Sequence, residues 1–123
     1  MTGKILIVDD SAYARRVHRA VLERAGHKVL EVSTGTSAIE TCMLEQPDVV
    51  ILDLSMEDIG GLQVLQTLRA MNITAPVIVV SADVQRSTEH SVMAAGAARF
   101  VGKPAQADVL LSAVNQTLTG GVR

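Results

Sequence analysis

VVILDLSMEDIGG, residues 49 to 61, starts with four aliphatic residues in a row, meets Asp53, and then breaks into a polar stretch closed by two glycines. A run of this kind without polar alternation reads as a strand buried on both faces. KILIV at 4 to 8 and VIVV at 77 to 80 have the same character, and the first of them also runs into carboxylates, Asp9 and Asp10. HKVLEV at 27 to 32 alternates, and ARFV at 98 to 101 is more polar than the other runs, so both fit the edges of a sheet.

Between the runs the apolar period changes to that of helices. Ala14, Val17, Val21 and Ala25 share one face, Arg15, Arg16 and Arg19 turn elsewhere, and Gly26 stands where a C-terminal cap belongs. Further helices are expected over 36 to 46, ending before Pro47, over 61 to 71, and over 85 to 95, ending at Gly96. A last helix, about 106 to 118, uses Ala107, Leu111, Val114 and Leu118. With no linker, repeat or low-complexity tract, residues 1 to 123 read as one (βα)₅ domain of the α/β class. Buried strands alternating with helices imply a parallel sheet, doubly wound, with right-handed crossovers.

Working sites in such sheets lie beyond the carboxyl ends of the strands. Asp9 and Asp10 follow the first strand, Asp53 ends the third, Ser81 ends the fourth and Lys103 follows the fifth, so all are expected in one crevice. Carboxylates about 4 Å apart repel by up to ~4 kcal/mol per pair at an effective dielectric near 20. A cation must therefore sit among them. A hard divalent ion such as Mg²⁺, held by carboxylates and water, answers part of the need, and the Lys103 ammonium answers the rest. An acidic metal crevice with a lysine, a hydroxyl and nearby helix starts suits a phosphoryl group, whose transfer depends mostly on charge placement.

Composition narrows the alternatives. The 123 residues are 48% hydrophobic, enough for a single core. The formal charge of −2 offers no basic excess for nucleic acid. Cys42 is the only cysteine, which excludes an internal disulfide or a CxxC metal site. No leader pattern or bilayer-length apolar run is visible, so a soluble cytoplasmic protein, not bound to membrane, is expected.

Four motifs, VDDS at 8 to 11, ILDLSM at 51 to 56, VVSAD at 79 to 83 and FVGKP at 100 to 104, stand in order along the chain. On these the whole chain resembles a response-regulator receiver domain, of the stand-alone kind. The resemblance implies a flavodoxin-like sheet in the order 2-1-3-4-5. It implies that Asp53 is the phosphoacceptor, that Asp10 and Asp53 ligate Mg²⁺ directly, with Mn²⁺ as a substitute, that Asp9 acts through water, and that Ser55 lends a backbone carbonyl. Lys103 and Ser81 would engage the phosphoryl oxygens, Phe100 would be the aromatic switch on the last strand, and Lys103–Pro104 would be cis.

The same resemblance implies a sensor histidine kinase or histidine phosphotransfer protein as donor. It implies a protein target that binds the face built from the fourth helix, last strand and last helix, and a monomer before activation. Such a protein is a phosphoacceptor that assists its own phosphorylation and dephosphorylation, not an enzyme in the usual sense. Only TGGVR follows the last helix, so no output domain is expected. The chain departs from the family at Glu57, where many receivers carry Pro, and at Gly60–Gly61, where many carry Asp-Gly. Gly60 forfeits a capping side chain, a looser loop is expected, and Glu57 and Asp58 are expected to add negative charge beside the crevice. Ser55 and Asp83 are expected to tune the phosphate's lifetime.

Two other functions compete. A pseudo-receiver would bind partners without phosphorylation. A phosphatase with an aspartyl nucleophile needs a second Asp two positions on, where this chain has Ser55 after Asp53 and Ser11 after Asp9. A dinucleotide site is weaker still, because no GxGxxG follows the first strand. Taken singly, Asp10 or Ser11 also reads as a helix cap. His18, His27 and His90 read as surface or partly buried residues, not metal ligands, and Met43, Met71 and Met93 as core fillers.

Overall fold

The computed structural model describes residues 2–120, so residues 121 to 123 of the terminal TGGVR lie outside the described residues. The strands are β1 (Lys4–Val8), β2 (Lys28–Val32), β3 (Val49–Asp53), β4 (Val77–Ser81) and β5 (Arg99–Gly102). They alternate with α1 (Ala12–Arg24), α2 (Gly35–Glu45), α3 (Gly61–Ala70), α4 (Arg86–Ala94) and α5 (Ala107–Leu118). All neighbouring strands are parallel, in the order β2-β1-β3-β4-β5, as expected. The two polar runs are the sheet edges.

Alternate residues of the central strands feed two separate cores, which explains why those runs show no polar positions. Leu6, Val8, Val50, Leu52, Val77 and Val79 pack beneath α2, α3 and α4 with Ala38, Cys42, Val64, Leu65, Leu68 and Val92. Ile5, Ile7, Val49, Ile51, Ile78 and Val80 pack beneath α1 and α5 with Leu22, Leu110, Ala113 and Val114.

Helix rotation differs from the expectation in two places. The buried residues of α1 are His18 and Leu22, while Val17 and Ala25 are exposed and Ala14 and Val21 only partly covered. In α5 the buried line is Leu110, Ala113, Val114 and Thr117, so the stripe turns by about one residue from Ala107, Leu111 and Leu118. Short helices with small or mixed side chains carry apolar residues on more than one face, and the sheet beneath selects among them.

The methionines are a further correction: Met43, Met71 and Met93 are all exposed. Met43 follows the buried Cys42 by one residue on α2, and Met93 likewise follows Val92 on α4, a rotation of about 100° that carries each off the covered face. Met71 is the C-cap of α3, past its last turn. Two of the histidines are corrected the other way. His18 and His27 are buried, at 6% and 5% exposure, and only His90 lies at the surface. His27 is fixed by accepting the Gly3 N–H on Nδ1 at 3.1 Å. No helix among the described residues is long and apolar enough to cross a membrane.

Candidate functional site

Strand register alone brings the acids together. Val8 pairs with Leu52, so the next residues, Asp9 and Asp53, stand side by side at the carboxyl ends of β1 and β3. Asp53 pairs with Val80, which sets Ser81 one step beyond it, and Ser81 pairs with Gly102, which sets Lys103 one step beyond that. Carboxylate oxygens of Asp9, Asp10 and Asp53 lie within 4.8 Å of one another. Asp9 and Asp53 are buried, at 3% and 5% exposure, and Asp10 is open to solvent.

Lys103 closes the group from the other side. Its ammonium donates to Asp9 Oδ2 at 2.9 Å and stands 3.4 Å from Asp53 Oδ1. Its backbone N–H is tied to the Ser81 carbonyl at 2.8 Å, and the following bond to Pro104 is cis. Burial raises the Asp53 carboxyl above its ordinary value, the charge of Asp9 adds to this, and Lys103 and the Ser55 N–H oppose it. Burial opposes the charge on Lys103 too, yet the Asp9 hydrogen bond and the Asp53 charge leave its pKa raised overall. The Asp53 shift is chiefly a matter of burial, whereas the Lys103 shift comes from the two acids beside it.

The remaining expected residues divide. Ser81 is buried at the end of β4, its Oγ accepting the Asp83 N–H at 3.0 Å. Ser55 is exposed, with its N–H given to the Asp53 carboxylate. Phe100 is not among the acids. It lies on β5 opposite Val79, partly buried against the α4-side core, and lines a groove of about 590 Å³ with Met93, Val101 and Val109. That groove is the face between α4, β5 and α5. Ser11 proves to be the N-cap of α1, its Oγ accepting the Ala14 N–H at 3.1 Å, whereas Asp10 joins the acids.

The loop after Asp53 is tied at both ends. Gly61 N–H bonds the Leu54 carbonyl at 2.9 Å, and a Cβ on Gly61 would strike the Asp53 carbonyl oxygen and come within 2.8 Å of Leu54 Cα, so α3 starts this close to β3 only with glycine. Gly60, the N-cap of α3, supplies no side-chain bond, as expected. Asp58 does not face the crevice. Its carboxylate accepts the Gly35 and Thr36 N–H groups, each at 3.0 Å, and the Thr36 hydroxyl at 3.0 Å, across the start of α2. Those donors hold it well below the usual carboxylate range, with the Thr36 N–H first and the Gly35 N–H second. The loop is consequently pinned, not loose, with the exposed Asp58 engaged at the start of α2 and Glu57 exposed beside it. Asp83 is similarly engaged, accepting the Gln85 N–H at 3.1 Å and the Thr88 hydroxyl at 2.6 Å at the start of α4.

Residues 5–115 match the family model of the response regulator receiver domain. The chain belongs to that family. The receiver is 36% identical over 119 residues to the chemotaxis protein CheY of Bacillus subtilis (strain 168), covering 96% of this chain and 99% of that protein. It is 34% identical over 120 residues to the protein PilH of Pseudomonas aeruginosa, covering 96% and 99%. With the transcriptional regulatory protein KdpE of Mycobacterium tuberculosis (strain H37Rv) it shares 40% over 108 residues, 88% of this chain but 47% of that one. It thus spans nearly all of two relatives and about half of a third. Among solved structures, the receiver domain of a LuxO-type repressor protein from Vibrio parahaemolyticus superposes with a TM-score of 0.93 at 27% identity, covering 98% of this chain and 92% of that chain. The fold is that of the family, and the protein is a two-component response-regulator receiver.

Proposed function

We propose that this receiver accepts a phosphoryl group on Asp53 from the phosphohistidine of a sensor kinase or histidine phosphotransfer protein, and then changes the surface it offers to a target. The observation that carries the reading is the meeting of Asp9, Asp10 and Asp53 within 4.8 Å, with Lys103 2.9 Å from Asp9 and 3.4 Å from Asp53. An all-oxygen, carboxylate-rich donor set fits a hard divalent ion. Asp10 and Asp53, with Asp9 through water and the Ser55 carbonyl, would hold Mg²⁺ or Mn²⁺, which when bound would draw charge from phosphoryl oxygens.

Asp53 supplies the nucleophile: its oxygen bonds to phosphorus as the bond from phosphorus to the donor imidazole breaks. Lys103 leaves Asp53 to pair with the transferred phosphoryl oxygens, and the Ser81 hydroxyl turns to donate to them. The Ser81 hydroxyl has a proton to give, because its Oγ accepts the Asp83 N–H and donates to no group among the described residues. Phe100 moves inward as Ser81 moves, reshaping the groove between α4, β5 and α5 where the target binds. The protein works in the cytoplasm as a monomer until activated, and assists its own phosphorylation and dephosphorylation.

Incubation with Mg²⁺ and acetyl phosphate, followed by intact mass, tests this. The wild type should gain one phosphoryl group and Asp53→Asn none. No gain by the wild type would leave a pseudo-receiver, and equal gain by the Asn variant would mean a different nucleophile.

A further inference from the structure

Arg15 takes no part in the chemistry above, yet its side chain reaches the turn that carries two of the acids. Its Nη1 donates to the backbone carbonyl of Asp9 at 2.6 Å, and its Nε donates to Glu31 Oε1 at 3.1 Å. Glu31 lies on β2, directly opposite Ile7 of β1 in the register. The Asp9 N–H is held from the same strand, by the Val32 carbonyl at 3.2 Å. Both peptide groups of Asp9 are therefore anchored to β2, one directly and one through the guanidinium.

We propose that Arg15 is a positioning residue: held by Glu31, it locks the peptide between Asp9 and Asp10, so that the two carboxylates face Asp53 at a spacing a divalent cation accepts. This rests on the reading that the crevice binds such a cation. Rotation of that peptide would swing both carboxylates, because it joins the two residues that bear them. The planar fork of arginine satisfies a carbonyl and a carboxylate at once with fixed geometry, which a single ammonium does not. The contacts are also sheltered, with side-chain exposures of 18% for Arg15 and 25% for Glu31. Arg19 forms an outer pair on the other oxygen of Glu31, at 2.6 Å, and on Glu23 at 3.0 Å, without touching the acidic turn. It supplies the control.

Mn²⁺ titration of the intact protein, reading free ion by its paramagnetic resonance signal, tests the role. Arg15→Met should weaken binding roughly tenfold, as loss of a partner behind the ligands does elsewhere. Arg15→Lys should recover part of the loss, and Arg19→Met should bind as the wild type does. A second readout needs no metal. The Ser11 amide, bonded to Asp9 Oδ1 at 2.9 Å, should exchange with solvent faster in Arg15→Met than in the wild type. Unchanged affinity and unchanged Ser11 exchange would overturn the proposal, as would an equal loss of affinity in Arg19→Met. If the wild type holds no Mn²⁺, the cation reading fails by itself and Ser11 exchange in the metal-free protein still decides the positioning role. Should Arg15→Met not fold, Arg15→Lys and Glu31→Gln carry the same comparison.

Discussion

Gly61 states a tight local condition, since the atoms a Cβ would meet belong to the Asp53 and Leu54 backbone at the end of β3 and cannot step aside. Gly61→Ala should cost about 1–3 kcal/mol, as overpacking does, read as a lowered urea midpoint with the slope unchanged. Because the strain falls on the Asp53 carbonyl, acetyl phosphate labelling should slow as well. Single residues differ in how plainly the sequence announced them. Asp9, Asp10, Asp53 and Lys103 were legible because each sits at a fixed offset from a recognisable strand end. Arg15 was not, because its partner is a backbone carbonyl, which leaves no mark in side-chain identity. Asp58 read as one more charge beside the acids, since its donors lie 22 and 23 residues back along the chain.

Helices α1 and α2 show the corresponding division one level up. If the buried line of α1 is His18 and Leu22, then Leu22→Ala should cost about 2–5 kcal/mol and Val17→Ala no more than about 0.5, by equilibrium urea unfolding. The reverse order would restore the stripe read from periodicity. For α2, Asp58 acts as a second cap beside Thr34, whose Oγ1 accepts the Ser37 N–H at 3.1 Å. The folded state holds the Asp58 carboxyl below its ordinary value of 3.8, so its stabilising effect is complete above that pH and is lost as pH falls through the folded value. Asp58→Ala should therefore melt below the wild type at neutral pH, and the gap should close in strong acid. A gap that stays constant in acid would mean the carboxylate is not what caps α2. The existence and ends of these helices were readable to within a residue or two, because caps and prolines are local signals. Their rotation was not, because it depends on which of several apolar faces the sheet covers.

The assembled molecule has two thin cores back to back and an acidic crevice at one rim of the sheet, where Lys103 balances only part of the charge. Mg²⁺ should accordingly stabilise the fold by mass action, by about 2.7 kcal/mol at a hundredfold excess over its dissociation constant, and so raise the melting temperature. Asp10→Asn should lose most of that gain in a thermal scan with and without EDTA, and an undiminished gain would place the ion elsewhere. The amino-acid order by itself determined the alternation of strand and helix, which strands are central, and which strand ends carry acids, because runs buried on both faces admit no polar residue and a parallel sheet gathers its carboxyl ends on one rim. Only tertiary packing decided which stripe of α1 and α5 turns inward, that Met43, Met71 and Met93 face outward while His18 and His27 do not, that Arg15 joins the Asp9 carbonyl to Glu31 of β2, and that Asp58 binds backbone groups 22 and 23 residues back in the chain. Those outcomes depend on neighbours supplied by distant segments, and no local pattern of residues encodes them.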